Sequence, residues 1–201
     1  MASKALDVTK RRPVTRAHPT YAVRMSGMFY ELPLSNRQRQ DESAVTGDWR
    51  AAEADVVRAA HALLSGRPAR DSELLARAFL RTAGLAKTDG VDLLAIADAL
   101  GSGDRRRVRD LSRTVKALLT LARDTGSPVT LAPRTSGAVA LYLATSGSFD
   151  VRAVVRGHTL RSTDEGWEFG QGPVLQDTSL RLVSFLCGIS MEPPRRAPAR
   201  E

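Results

Sequence analysis

Apolar residues recur at helical spacing through the middle of the chain. From Asp48 onward Trp49, Ala52, Val56, Ala59 and Leu63 fall three and four residues apart and Gly66 offers a stop, so the pattern predicts a helix of about four turns. After Arg67-Pro68, Asp71 or Ser72 is placed to accept from the open amides of a second helix carrying Leu74, Leu75, Ala78 and Phe79, which ends near Gly84. A short third helix follows from Val91 to Leu100, entered through Thr88 or Asp89. Gly101-Ser102-Gly103-Asp104 interrupts the pattern, and Asp104 is placed to cap a fourth helix whose stripe is Val108, Leu111, Val115, Leu118, Leu119 and Ala122. Gly126-Ser127-Pro128 predicts its end.

Beyond that point the period shortens. Val129 and Leu131 predict a strand, the apolar run from Ala138 to Ala144 fits helix or strand, and Val151, Ala153 and Val155 alternate with Arg152, Val154 and Arg156. Gly157-His158 reads as one hairpin turn. Asp164-Glu165-Gly166 reads as another, joining Thr159 to Thr163 with Trp167 to Phe169 and placing both aromatic rings on one face. Residues 178–187 read as a buried helix, with Leu180, Leu182, Val183, Phe185 and Leu186 leaving little polar face. The expected fold class is α+β: an N-terminal helical half, then a small β-meander with a C-terminal packing helix. The expected organisation is a flexible basic arm at 1–45, a helical domain at 46–126, an α+β unit at 127–190 and a disordered tail at 191–201.

Composition narrows the function classes. A chain of 201 residues, 42% hydrophobic and 26% charged, holds one ordinary domain or two small ones around a core. Its single cysteine, Cys187, excludes an intramolecular disulfide framework and a cysteine-cluster metal site, which fits a reducing compartment. No apolar run reaches the roughly 18 residues that cross a bilayer, so the expectation is a cytoplasmic protein without membrane association. Arginine far outnumbers lysine, and with the abundance of Ala and Gly this fits a G+C-rich bacterial coding sequence.

The charge is unevenly placed. Residues 1–40 hold eight basic side chains against two acidic ones, whereas 41–190 are nearly neutral. Such an arm, with Lys10, Arg11, Arg12 and Arg16 at its centre, attracts phosphate polymers by releasing their condensed counterions. Nucleic acid is the expected partner, DNA ahead of RNA. The apolar patch Met25 to Tyr30 is a candidate dock for a protein partner.

The run Asp92 to Gly101, followed by Arg105 to Lys116, resembles a helix-turn-helix. Ile96 and Leu100 face inward, Ala97 is small enough for a close crossing, Gly101 allows the turn, and Val108 and Leu111 complete the packing. The turn is longer than the minimal one and the second helix is long for a recognition helix. On this reading Arg105, Arg106 and Arg107 occupy the first turn of the fourth helix, where the macrodipole already concentrates positive charge and an external phosphate relieves it. Arg109, Arg113 and Lys116 extend the basic surface, and Arg152, Arg156 or Arg161 on the later hairpin form a possible wing.

Two rival readings stand beside the nucleic-acid-binding regulator: a protein-interaction module, and a domain enclosing a small apolar ligand between the Trp167/Phe169 face and the helix at 178–187. Catalysis has little support. His18, His61 and His158 lack metal spacing, no Ser/His/Asp order stands out, and Gly101-Ser102-Gly103 lacks the lysine of a phosphate-binding loop. No catalytic residue, metal or cofactor is assigned.

Overall fold

The computed structural model describes residues 47–86 and 91–198. Among them the order is α1 (Arg50–Leu64), α2 (Ala69–Ala83), α3 (Leu93–Ser102), α4 (Val108–Thr125), α5 (Pro133–Ser146), α6 (Phe149–Val155), β1 (Thr159–Ser162), β2 (Glu168–Gly170), β3 (Val174–Asp177), α7 (Ser179–Leu186) and β4 (Arg195–Arg196). The fold is α+β, mostly helical with one small mixed sheet. The expected arm, the Met25 to Tyr30 patch and the helix entry at Thr88 or Asp89 lie outside the described residues.

Helix α4 is the centre of the packing. Leu111, Val115 and Leu118 on it are fully buried, α1 and α2 lie against it on one side, and α5 covers another. Each neighbour contributes an apolar stripe: Trp49, Val57 and Ala60 from α1, Phe79 and Leu80 from α2, Ala138, Val139 and Ala140 from α5. One hydrophobic cluster runs from Trp49 to Cys187, passing across residue 126 without interruption.

Tertiary contacts override the expected helix starts. Helix α2 begins at Ala69, directly after Pro68, and the Ser72 hydroxyl instead donates to the Leu64 carbonyl at 3.1 Å, closing the α1–α2 turn. Helix α4 begins at Val108 with Arg107 as its N-cap, so Asp104 caps nothing there. The reason lies in the entry to α1: Trp49 N–H donates to the Arg106 carbonyl at 3.1 Å, and Arg106 N–H donates to Asp48 Oδ1 at 3.3 Å. These bonds hold 105–107 extended. Helix α3 does have a local cap, since Asp92 Oδ1 accepts from Leu94 N–H at 2.9 Å and Ala95 N–H at 3.2 Å.

The helix-turn-helix is not confirmed. Helix α3 lies against α1, and α4 against α1 and α2, so the two meet a common neighbour and barely touch each other. Ile96 and Ala97 are buried against that neighbour's side of the core.

Two segments expected as strands or left ambiguous are helices. Pro133 pre-sets the first turn of α5. In α6 the buried pair is Val151 and Val155, four apart, while Ala153 is exposed, so the true period is that of a helix. Gly147-Ser148 turns the chain through 106° between α5 and α6. Val129 and Leu131 belong to the connection before α5.

The sheet is mixed, with strand order β2-β1-β3-β4, which corrects the expected meander. Residues 159–163 and 167–169 do form the expected hairpin, Leu160 opposite Phe169. The chain then crosses the start of β1, and β3 pairs parallel to it, Leu160 beside Leu175. That crossing depends on Gly170 (φ +104°) and Gly172 (φ +112°), where a Cβ would strike the carbonyl oxygens of His158 and Gly157 respectively. Helix α7 follows as expected, with Leu182, Val183, Phe185 and Leu186 buried.

Candidate nucleic-acid interface

Helix α4 is so enclosed that only a narrow strip of it meets solvent. Along that strip lie Arg109, Arg113 and Lys116, with half-buried Thr120 next. The spacing of four and three residues keeps the cations on one face, about 10 Å from first to last along the axis. None of the three forms an ion pair among the described residues. At the far end, Arg123 is held by Asp124 at 3.0 Å.

The strip is anchored at two neighbouring helix ends. A Cβ at Gly84, the left-handed cap closing α2, would sit 3.9 Å from Arg113 Nη1, so this guanidinium lies over the negative end of the α2 dipole. Lys116 lies near Cys187, just past α7. Burial pushes that thiol up to about 12, and the nearby ammonium only partly offsets it.

The three consecutive arginines separate into different roles. Arg105 is exposed in the approach to α4, and Arg107 is its exposed N-cap residue, whose N–H donates to Asp110 Oδ2 at 3.4 Å. None of the three lies in the first helical turn. Arg106 turns inward, and its Nε and Nη2 donate to Glu53 Oε2 and Oε1 at 2.6 and 2.9 Å. Glu53 is wholly buried and also accepts from Thr114 Oγ1 at 2.9 Å, so both of its carboxylate oxygens have partners. Hydrogen bonding to Glu53 raises Arg106 above its ordinary value. This arginine is an internal strut.

Sequence reasoning missed Glu53 and Thr114. The signal was present, because Trp49, Glu53 and Val57 fall four residues apart on the face that packs inward. A carboxylate on an apolar stripe requires a buried cation, and Arg106 supplies it.

The hairpin residues are also committed internally. Arg161 is paired with Glu168 across β1 and β2 at 2.8 Å, while Arg152 and Arg156 are exposed at α6. Trp167 and Phe169 stack at 5.6 Å, and the indole packs on Gly137 of α5, where a Cβ would lie 3.3 Å from Cδ1. Its Nε1–H donates to Glu165 Oε2 at 3.0 Å and Ser136 Oγ at 3.2 Å, and Ser136 in turn donates to Glu165. The aromatic face that the rival reading placed around a ligand packs on α5 as a seam between hairpin and helix. Lys10, Arg11, Arg12 and Arg16 lie outside the described residues.

No known protein family matches the chain, and neither a curated protein nor a solved structure is similar to it.

Proposed function

We propose that the protein binds nucleic acid, DNA ahead of RNA, through sequence-independent contacts to the phosphate backbone, and that it acts as a DNA-binding regulator. Arg109, Arg113 and Lys116 are the contact residues on the folded body. The basic residues of 1–40, with Lys10, Arg11, Arg12 and Arg16, add long-range attraction. The observation that carries the reading is the α4 strip itself: three exposed cations on one face without a carboxylate partner. Helix α4 is covered on its other faces, which argues against its insertion into a major groove and for phosphate contact over base reading.

The test is binding to a labelled random-sequence duplex at several salt concentrations, with Arg109→Gln, Arg113→Gln and Lys116→Gln combined. The expected slope of log Kobs against log salt falls by about 0.9 for each phosphate contact removed. The neighbouring Arg123→Gln is the control. An unchanged affinity and slope in the triple variant overturns the assignment.

A second reading, a protein-interaction module, draws on Phe149 and Met191, which stand 76% and 89% exposed. A partner whose capture survives nuclease and depends on Phe149 separates it from the first.

A further inference from the structure

A cavity of about 240 Å³ opens between α1, α4 and the chain entering α5. Its floor is apolar, formed by Val56, Ala59, Leu118 and Leu131. A space of roughly 150 Å³ already accommodates a benzene ring, so this one has room for a ring and a small head group.

One end of the cavity is built for negative charge. Arg134 lines it, with its guanidinium carbon 5.1 Å from the centre of the Trp49 ring and no ion-pair partner among the described residues. Stacking on an aromatic face leaves the in-plane N–H groups of an arginine open to a planar anion. Arg134 also occupies the second position of α5, and because Thr135 N–H donates to the Ala132 carbonyl at 2.8 Å, the Arg134 N–H is the one open amide of that first turn. Pro133 before it has no N–H. The acid on the rim, Asp55, is neutralised by Arg58 at 2.9 Å.

A hydroxyl at the cavity wall adds a donor. Thr135 is only 5% exposed and lines the same cavity, yet its Oγ1 has no hydrogen-bond partner among the described residues. That oxygen is open to solvent at the cavity wall, where it can donate to a ligand atom.

The geometry points to a binding site for a small carboxylate with an apolar body: the carboxylate on the guanidinium and backbone N–H of Arg134, the Thr135 hydroxyl donating to it, and the body over Val56, Ala59 and Leu118. This site is separate from the α4 strip and does not depend on the nucleic-acid reading.

The test uses the full chain carrying Trp167→Phe, so that Trp49 beneath Arg134 is the sole indole. Benzoate is titrated against benzyl alcohol, which keeps the ring without the charge, and acetate, which keeps the charge without the ring. Saturable benzoate binding is expected from Trp49 emission and, in the unsubstituted protein, from ligand-observed NMR, with both controls weaker by about tenfold or more. Arg134→Gln is expected to weaken benzoate by about tenfold, Thr135→Val by less, and Ala59→Phe to abolish binding by filling the floor. Melting curves identify any variant that fails to fold, and Arg134→Lys then tests the cation with the stem retained. Absence of saturable benzoate binding to the unsubstituted protein overturns the proposal. So does equal affinity for benzyl alcohol, or binding unchanged in a folded Arg134→Gln variant.

Discussion

Arg106 grips both carboxylate oxygens of Glu53, at 2.6 and 2.9 Å, and thereby ties the approach to α4 onto α1. A pair with one wholly buried member is costly to break from one side. Arg106→Ala is expected to lose about 3 to 5 kcal/mol, because the buried Glu53 carboxyl is left without its partner. Glu53→Met with Arg106→Leu is expected to recover most of that loss. Urea denaturation of the single and double variants checks both. If Arg106→Ala melts like the parent, the strut assignment is wrong.

The seam between hairpin and α5 is expected to be readable through Trp167. Gly137→Leu places a side chain where the indole lies, since even a Cβ would approach it to 3.3 Å. Its emission should shift to the red and become accessible to quencher, with a loss on the order of 1–3 kcal/mol from overpacking. The comparison is made in a Trp49→Phe background, so that only Trp167 emits. Unchanged emission would place the indole elsewhere.

Asp164 joins the hairpin to α7. Its Oδ1 accepts from Ser179 N–H at 2.7 Å and from Ser162 Oγ at 2.6 Å. Desolvation pushes its pKa up, but the hydrogen bonds from Ser162 and Ser179 outweigh this and hold the carboxyl below its ordinary value of 3.8. A carboxyl depressed in the folded state contributes stability that is fully present above the unfolded value and lost as pH falls through the folded one. Asp164→Asn is therefore expected to cost about 1 kcal/mol at neutral pH, as the loss of a helix cap does. Below the ordinary carboxyl range the two stability curves should converge, because the native Asp164 is then protonated too. A gap that persists at low pH contradicts the assignment.

Cys187 is buried with its thiol raised to about 12, so little thiolate exists at neutral pH. Its reaction with a thiol reagent should track unfolding: slow in buffer and rising in step with a circular-dichroism melt in urea. Fast modification of the native protein rules this out.

What could be read from the sequence followed local physics. The α1 and α4 stripes, the 159–169 hairpin and the buried helix at 179–186 repeat at the period of their own element, and each is found there. The stripe in α1 was displaced by about one residue: Ala52, Ala59 and Leu63 are half-buried, while Ala54, Val57, Ala60 and Leu64 are buried. That displacement concealed Glu53. The alternation at 151–155 misled because small and apolar residues surround the true helical pair, Val151 and Val155.

The candidate site was legible only in part. Arg109, Arg113 and Lys116 share a helix face, and periodicity alone places them together. Arg106 faces the other way because of partners on α1, more than fifty residues earlier. Neither Arg134 nor Thr135 stood out in the sequence, since their significance depends on Trp49 and on a cavity wall formed by α1.

Gly170 and Gly172 have a consequence for the order of folding. A parallel strand pair ordinarily waits for a long excursion through a helix. Here the excursion is residues 163–173, and it contains β2, which is already paired to β1. The hairpin can therefore close first, and the two glycines then deliver β3 to the opposite edge of β1 within a few residues, leaving β4 to zip on after α7. Each strand docks on one already in place, over short loops that close quickly, so the sheet can assemble without first locating the helices around α4.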